Sequence, residues 1–182
     1  MQSHVLFEIA EQFNALGIRW GVGGSNVLAH HGIIDSPRDL DLIVHLYDAK
    51  PALERLEQYG TRTRAETSYP FRTKVFQTYI KDDTSIDFMS GFAIEHDQGI
   101  YTFLLDEHAT MESVRKDGRV IPYTSLEDWY VLYQLIPNKG RKADLIESYW
   151  LTNGIDQPEL LSRAANQPLP SEVRSRINRF IL

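Results

Sequence analysis

The sequence predicts a mixed α/β (α+β) fold: a mixed β-sheet flanked by helices, with a helical C-terminal third. Three observations predict it. Apolar residues recur at helical spacing at the start of the chain. They switch to alternation with period two from residue 18 onward, and the helical period returns from Ser125. The expected organisation is a core over residues 1–124 and a helical segment over 125–182 packed on the same domain.

Taking the elements in order, Leu6, Ile9, Ala10, Phe13 and Leu16 define an amphipathic helix over residues 3–16, stopped by Gly17. Ile18, Trp20 and Val22 alternate into a strand that ends at the pair Gly23–Gly24. SNVLAHHG reads as a short helix with Ser25 at or near its N-cap and Gly32 as its stop. DLDLIVHL is the next strand, with Leu40, Leu42 and Val44 on one face and Asp39, Asp41 and Ile43 on the other. Asp48, Pro51, Leu53, Leu56 and Tyr59 mark a helix closed by Gly60. KVFQTYI and TSIDFMS form a hairpin across the polar turn KDDT, and GIYTFLL and RVIPY are two further short strands. SLEDWYVLYQLI starts a helix on a hydroxyl cap with Asp128 three residues on. RKADLIESYWL and two short helices, near 158–166 and 170–180, complete the chain.

Composition narrows the class. The 182 residues are 42% hydrophobic and 24% charged, with no low-complexity tract, as expected of one ordinary globular domain. No apolar run approaches the ~20 residues needed to cross a bilayer, and MQSHVLFEIAEQF lacks the features of a signal peptide. A cytoplasmic protein without a membrane partner is the expectation. The absence of cysteine excludes disulfides, thiolate zinc sites and a cysteine nucleophile. Nineteen Lys and Arg against 25 Asp and Glu give a formal charge of −6, which argues against a nucleic-acid coat protein but permits a locally basic cleft.

The chemistry concentrates in acids and glycines. Two residues apart on a strand, Asp39 and Asp41 point the same way, with roughly 6–7 Å between their Cα atoms. Unpaired, they repel. A hard divalent cation resolves the conflict, because Mg²⁺ takes oxygen ligands and is commonly held by one or two carboxylates plus substrate phosphates. Asp87, between Ile86 and Phe88, is a third carboxylate alternating with core residues, and three acids from two strands suffice for a two-metal site. Gly23 and Gly24 let backbone N–H groups approach a ligand, and the helix beginning at Ser25 favours an anion at its N-terminus. Asn26 breaks the dinucleotide-binding fingerprint, and no P-loop occurs.

In order and spacing, these residues resemble the DNA polymerase β nucleotidyltransferase superfamily: glycine, glycine and serine closing a strand, Asp-x-Asp beginning fifteen residues after Gly24, and a lone acid on a later strand. More narrowly they are similar to its small bacterial branch of lincosamide-type antibiotic and toxin-like nucleotidyltransferases. The resemblance implies the nucleotidyltransferase fold. It also implies that Gly23, Gly24 and Ser25 hold the triphosphate, that Asp39 and Asp41 ligate two Mg²⁺ ions, and that Asp87 completes the catalytic metal site. The co-substrate would be a nucleoside triphosphate, ATP first among them. Its nucleoside monophosphate would pass to a hydroxyl of a small molecule, an antibiotic being one option, with release of pyrophosphate. The same chemistry on a tRNA end or a protein side chain, or a silent nucleotide-binding or partner-binding module, are the alternatives. GRKADLIE is similar to a later segment of the family and carries Lys142 over as a triphosphate contact, with Lys139 its competitor. Asp144 is expected to tie down its helix or a neighbouring arginine. Arg38 departs from the usual order before the acid pair, so its role stays open.

Other residues read as structural. His30 and His31 are expected in packing or helix-end contacts; Trp20, Tyr69, Phe71, Trp129, Tyr130 and Tyr133 read first as core, with a base-stacking ring among them as the alternative. Arg62, Arg64, Arg72 and Lys74 read as a lip of the nucleotide or acceptor cleft, with a solvated loop the first reading for Arg62 and Arg64, and Arg174, Arg176 and Arg179 read as the wet face of the last helix.

Overall fold

A computed structural model describes residues 2–64, 66–106, 109–116 and 118–181, with the main chain alone at 2–3 and 110–116. Helix α1 (Gln2–Ala15) leads into β1 (Trp20–Val22), then α2 (Gly24–His30) and β2 (Leu40–Val44). Helix α3 (Ala49–Tyr59) precedes β3 (Thr61–Arg64), β4 (Val75–Lys81) and β5 (Thr84–Ser90). Four more strands follow: β6 (Ala93–His96), β7 (Gly99–Thr102), β8 (Thr110–Lys116) and β9 (Arg119–Thr124). Helices α4 (Leu126–Leu135), α5 (Gly140–Asn153), α6 (Pro158–Ala165) and α7 (Ser171–Asn178) make the C-terminal part. None of the described helices is long and apolar enough to cross a membrane.

Among the described residues, seven strands form one mixed sheet in the order β3-β4-β5-β2-β1-β9-β8, while β6 and β7 pair separately. The pairs β2/β5 and β1/β9 are parallel and the remaining neighbours antiparallel. The β4–β5 hairpin turns at Asp82 and Asp83, both at positive φ, as a two-residue turn of this kind requires. Three strands escaped the periodicity argument. β3 reads TRTR, is exposed throughout and has no apolar alternation, because it is an edge strand blunted by charge. β6 is built on the second, two-stranded sheet, and β8 is the opposite edge.

The parity read from DLDLIV holds. Leu40, Leu42 and Val44 join Trp20, Val22, Ile86 and Phe88 in a core shared with α1 and α3. Ile43 and Met89 face the other way, into a core with α2 and the four C-terminal helices. Each fully buried Leu or Phe contributes about 1.5–3 kcal/mol, so apolar packing stabilises both faces of the sheet. The C-terminal helices close over the other face. Ser125 caps α4, its hydroxyl accepting from Asp128 N at 3.4 Å and donating to that carboxylate at 2.5 Å.

The arginines of the last helix are not simply solvated. Arg176 bonds Glu147 at 2.7 Å and Asp144 at 2.8 Å, Arg179 bonds Glu147 at 3.0 Å, and Arg174 donates to the carbonyls of Ala165 and Gln167. A charged helix face looks wet from sequence alone, yet here it clamps α7 to α5 and to the turn after α6. Asp144 anchors its helix as expected.

Candidate active site

The strand order brings the three acids together. β2 and β5 run parallel and adjacent, with Asp41 directly opposite Asp87, and Asp39 precedes β2 by one residue. Asn26 on α2 donates its side-chain amide to the Asp39 carbonyl at 2.7 Å and so fixes the approach to the strand. Thr78, opposite Asp87 on β4, donates its hydroxyl to Asp87 Oδ1 at 2.7 Å. A cavity of about 320 Å³ opens over this row, lined by Asp39, Asp41 and Asp87, by Gly24 and Ser25, and by Lys139 and Lys142.

The glycine pair has a steric reason that its sequence context hides. A Cβ on Gly24 would lie 1.8 Å from Asp41 Oδ2, and Gly24 has φ +59°, so no other residue fits there without strain. A Cβ on Gly23 would meet the Trp129 ring at 2.5 Å. The Gly23 N–H donates to the Asp41 carbonyl at 2.9 Å. The glycines thus let the loop lie against the acid strand, and Ser25 follows one residue into α2.

Opposite the loop, Lys142 on α5 donates to Ser25 Oγ at 2.5 Å, and its ammonium stands 4.9 Å from the centre of the Tyr133 ring. Lys139, at the N-cap of α5, also lines the cavity. Lys142 thus touches the glycine–serine loop directly.

Electrostatics mark the site. Burial, then the charges of Asp39 and Asp87, push the Asp41 carboxyl up to about 7, against the pull of Lys142 and Lys139. Asp87 is raised as well, by burial and by Asp39, although the Thr78 hydroxyl and Arg64 favour its charged form. Lys142 is lowered by burial and by Lys139. Perturbed groups of both signs meeting in one cavity are the pattern of a functional site.

Other residues complete the lining. Tyr133, which from its helical spacing reads as core, is buried and lines the cavity with a hydroxyl that makes no hydrogen bond of good geometry, although it lies near Ser25. Arg64 is on a strand rather than in a solvated loop and lines the same cavity, 5.6 Å from the centre of the Phe76 ring. Phe71 and Trp129 also line it. Arg72 is paired with Glu95 and is absent from the lining, and Lys74 borders a different groove beside Gly91. His30 stacks on Tyr123 at 4.3 Å and His31 contacts Tyr149, so both are packing residues.

Among the described residues no three His, Asp or Glu side chains form a ready-made metal cluster. The donor set is carboxylate only, and part of the coordination would have to come from substrate oxygens, which suits Mg²⁺.

No protein-family model and no curated protein matches the sequence. Solved structures do match in fold. A candidate nucleotidyltransferase from Thermotoga maritima superposes with a TM-score of 0.62 at 19% identity, over 83% of this chain and 92% of that one. ANT(2″)-Ia in complex with adenylyl-2″-tobramycin gives 0.58 at 12% identity, over 98% and 97% of the two chains. The lincosamide antibiotic adenylyltransferase LnuA, lincomycin-bound, gives 0.50 at 16% identity, over 80% and 96%. With its acids on adjacent parallel strands and a glycine loop laid against them, the chain has the nucleotidyltransferase fold.

Proposed function

We propose that the protein is a nucleotidyltransferase that moves a nucleoside monophosphate from a nucleoside triphosphate, ATP first among them, to a hydroxyl of a small molecule, releasing pyrophosphate. The observation that carries this reading is the meeting of Asp39, Asp41 and Asp87 with the Ser25–Lys142 pair in one cavity. Two of the structural neighbours were solved with an antibiotic acceptor or its adenylylated product, which supports a small-molecule acceptor and an antibiotic among the candidates.

The division of labour follows from charge. Lys142, Lys139 and the Ser25 hydroxyl supply cationic and polar partners for a triphosphate at one end of the cavity. Asp39 and Asp41, with Asp87, would hold Mg²⁺ through their carboxylate oxygens. When bound, Mg²⁺ offsets phosphate charge and favours the deprotonated acceptor hydroxyl. Asp87, its orientation held by the Thr78 hydroxyl, would accept the proton of the attacking hydroxyl. The oxygen attacks the α-phosphorus in line with the leaving pyrophosphate, so the work of the protein is positioning and electrostatic stabilisation.

The test is incubation of the purified protein with each α-labelled nucleoside triphosphate and Mg²⁺, against aminoglycosides, lincosamides, other hydroxyl compounds, tRNA and protein. Label on a small molecule is the expected outcome. Label on tRNA or protein alone would replace the acceptor class, and no labelled product with any of them would refute transfer.

A further inference from the structure

We infer that the acceptor is a small hydroxyl compound with an apolar body and an anionic group facing Arg64, and that polycationic aminosugars are poor acceptors. The inference rests on the proposed transfer reaction and adds the substrate class at its acceptor end.

Residues paired directly across neighbouring strands share a face of the sheet. Arg64 on β3 is opposite Thr78 on β4, Thr78 is opposite Asp87 on β5, and Asp87 is opposite Asp41 on β2. The four lie in one row, which places the Arg64 Cα about 10 Å from that of Asp87, two strand spacings away. A β-bulge produces this alignment. Arg62 pairs with Tyr79 and Arg64 with Thr78, leaving Thr63 as the extra residue. In a regular ladder Thr63 would oppose Thr78 and Arg64 would turn to the other face. The bulge therefore aims the arginine along the acid row. Arg64 Nε donates to the Glu66 carbonyl at 2.9 Å, and no other hydrogen bond of the guanidinium is made among the described residues.

Apart from the acids and cations, the lining includes the apolar Phe71, Phe76, Met89 and Phe92, with the hydroxyls of Thr67, Ser68 and Thr73 beside them. The charged residues of the described lining are Asp39, Asp41, Asp87, Arg64, Lys139 and Lys142. Asp39, Asp41 and the lysines are engaged with the donor and Asp87 with the attacking hydroxyl, so among the described lining residues the charge left to face the rest of the acceptor is that of Arg64, and no further carboxylate there is left for ammonium groups. A nucleic-acid end is a poorer fit, because the neighbouring Arg62 and Arg72 are paired with Glu57 and Glu95 and form no open basic track.

The experiment compares kcat/KM of wild type and Arg64→Glu on anionic, neutral and polycationic hydroxyl compounds, with hydroxyaryl carboxylates, their methyl esters and tobramycin as class representatives. The thermal shift given by MgATP reports that each variant is folded and binds nucleotide. Wild type should prefer the carboxylates. Arg64→Glu should lower their kcat/KM about 10- to 100-fold, chiefly through KM, the loss expected for one charge-assisted contact. Arg64→Lys should recover part of that loss, and deletion of Thr63 should reproduce it. Efficient transfer to tobramycin, or an order of preference unchanged by Arg64→Glu, overturns the acceptor assignment and leaves nucleotidyl transfer standing. Nucleotide binding without product from the anionic or neutral compounds also overturns the assignment. Failure to bind nucleotide, with no product from any class, overturns the transfer reading and this inference with it.

Discussion

The two faces of strands β2 and β5 are built to opposite standards. On one, Leu40, Leu42, Ile86 and Phe88 are fully buried against α1 and α3. On the other, Asp41 and Asp87 are carboxylates whose proton affinity is raised by burial and by neighbouring acids, near a buried tyrosine hydroxyl without a good hydrogen bond. One alternating pattern thus holds stability on one side and chemistry on the other. The acid row is locally unfavourable and persists because the cores on both faces of the sheet are well packed around it.

That contrast can be broken in measurable ways. Asp41→Asn should lower transfer by at least ~10²-fold, the scale of losing one electrostatic element of such a site, while the melting temperature of the metal-free protein stays equal or rises. A large drop in stability would show that Asp41 is structural. Leu42→Ala should do the reverse, costing about 2–5 kcal/mol of stability by denaturant titration while the folded fraction keeps its KM for nucleotide.

The pH dependence sharpens the comparison. Because the Asp41 carboxyl is held up to about 7 in the fold against about 4 unfolded, the native state binds a proton more tightly between those values. Stability of the metal-free protein should therefore fall as pH rises through that window, and the melting temperature at pH 8 should lie about 2–4 °C below that at pH 6. Asp87, Glu127 and Asp128 are raised too and act in the same direction, so the decisive quantity is the slope lost in Asp41→Asn. An unchanged slope would remove Asp41 from the account. Smallest of all, Tyr133→Phe should change stability by no more than ~0.5 kcal/mol, since its hydroxyl makes no good bond to lose, but should raise the KM for nucleotide several-fold. A stability loss with unchanged KM would assign the hydroxyl to the fold.

How far the sequence announced this arrangement depended on periodicity. Asp39, Asp41 and Asp87 stand out because an acid interrupts an apolar alternation, and parity then predicts their common face. Gly23 and Gly24 are visible as glycines, but their cause, the Asp41 carboxylate and the Trp129 ring, lies in tertiary packing. Lys142 is reached through resemblance, and its bond to Ser25 appears only in three dimensions. Arg64 is hidden because a bulge shifts the phase of its strand, and TRTR carries no apolar residue from which to read that phase. Tyr133 is hidden because helical spacing describes a core residue and a cavity residue equally well. Thr78 and Asn26 carry no local pattern, since each acts on an acid held by another element.

The hydrogen bond between Lys142 and Ser25 joins positions 117 residues apart in the chain. During synthesis the acid strands are made long before the lysine that partly balances them, so the carboxylates spend that interval without their intramolecular cation. Closing so distant a contact carries an entropic cost that local structure does not repay, and it belongs to the late steps of folding. Nucleotide binding should accordingly be the last property to appear on refolding, after the β2–β5 sheet has formed.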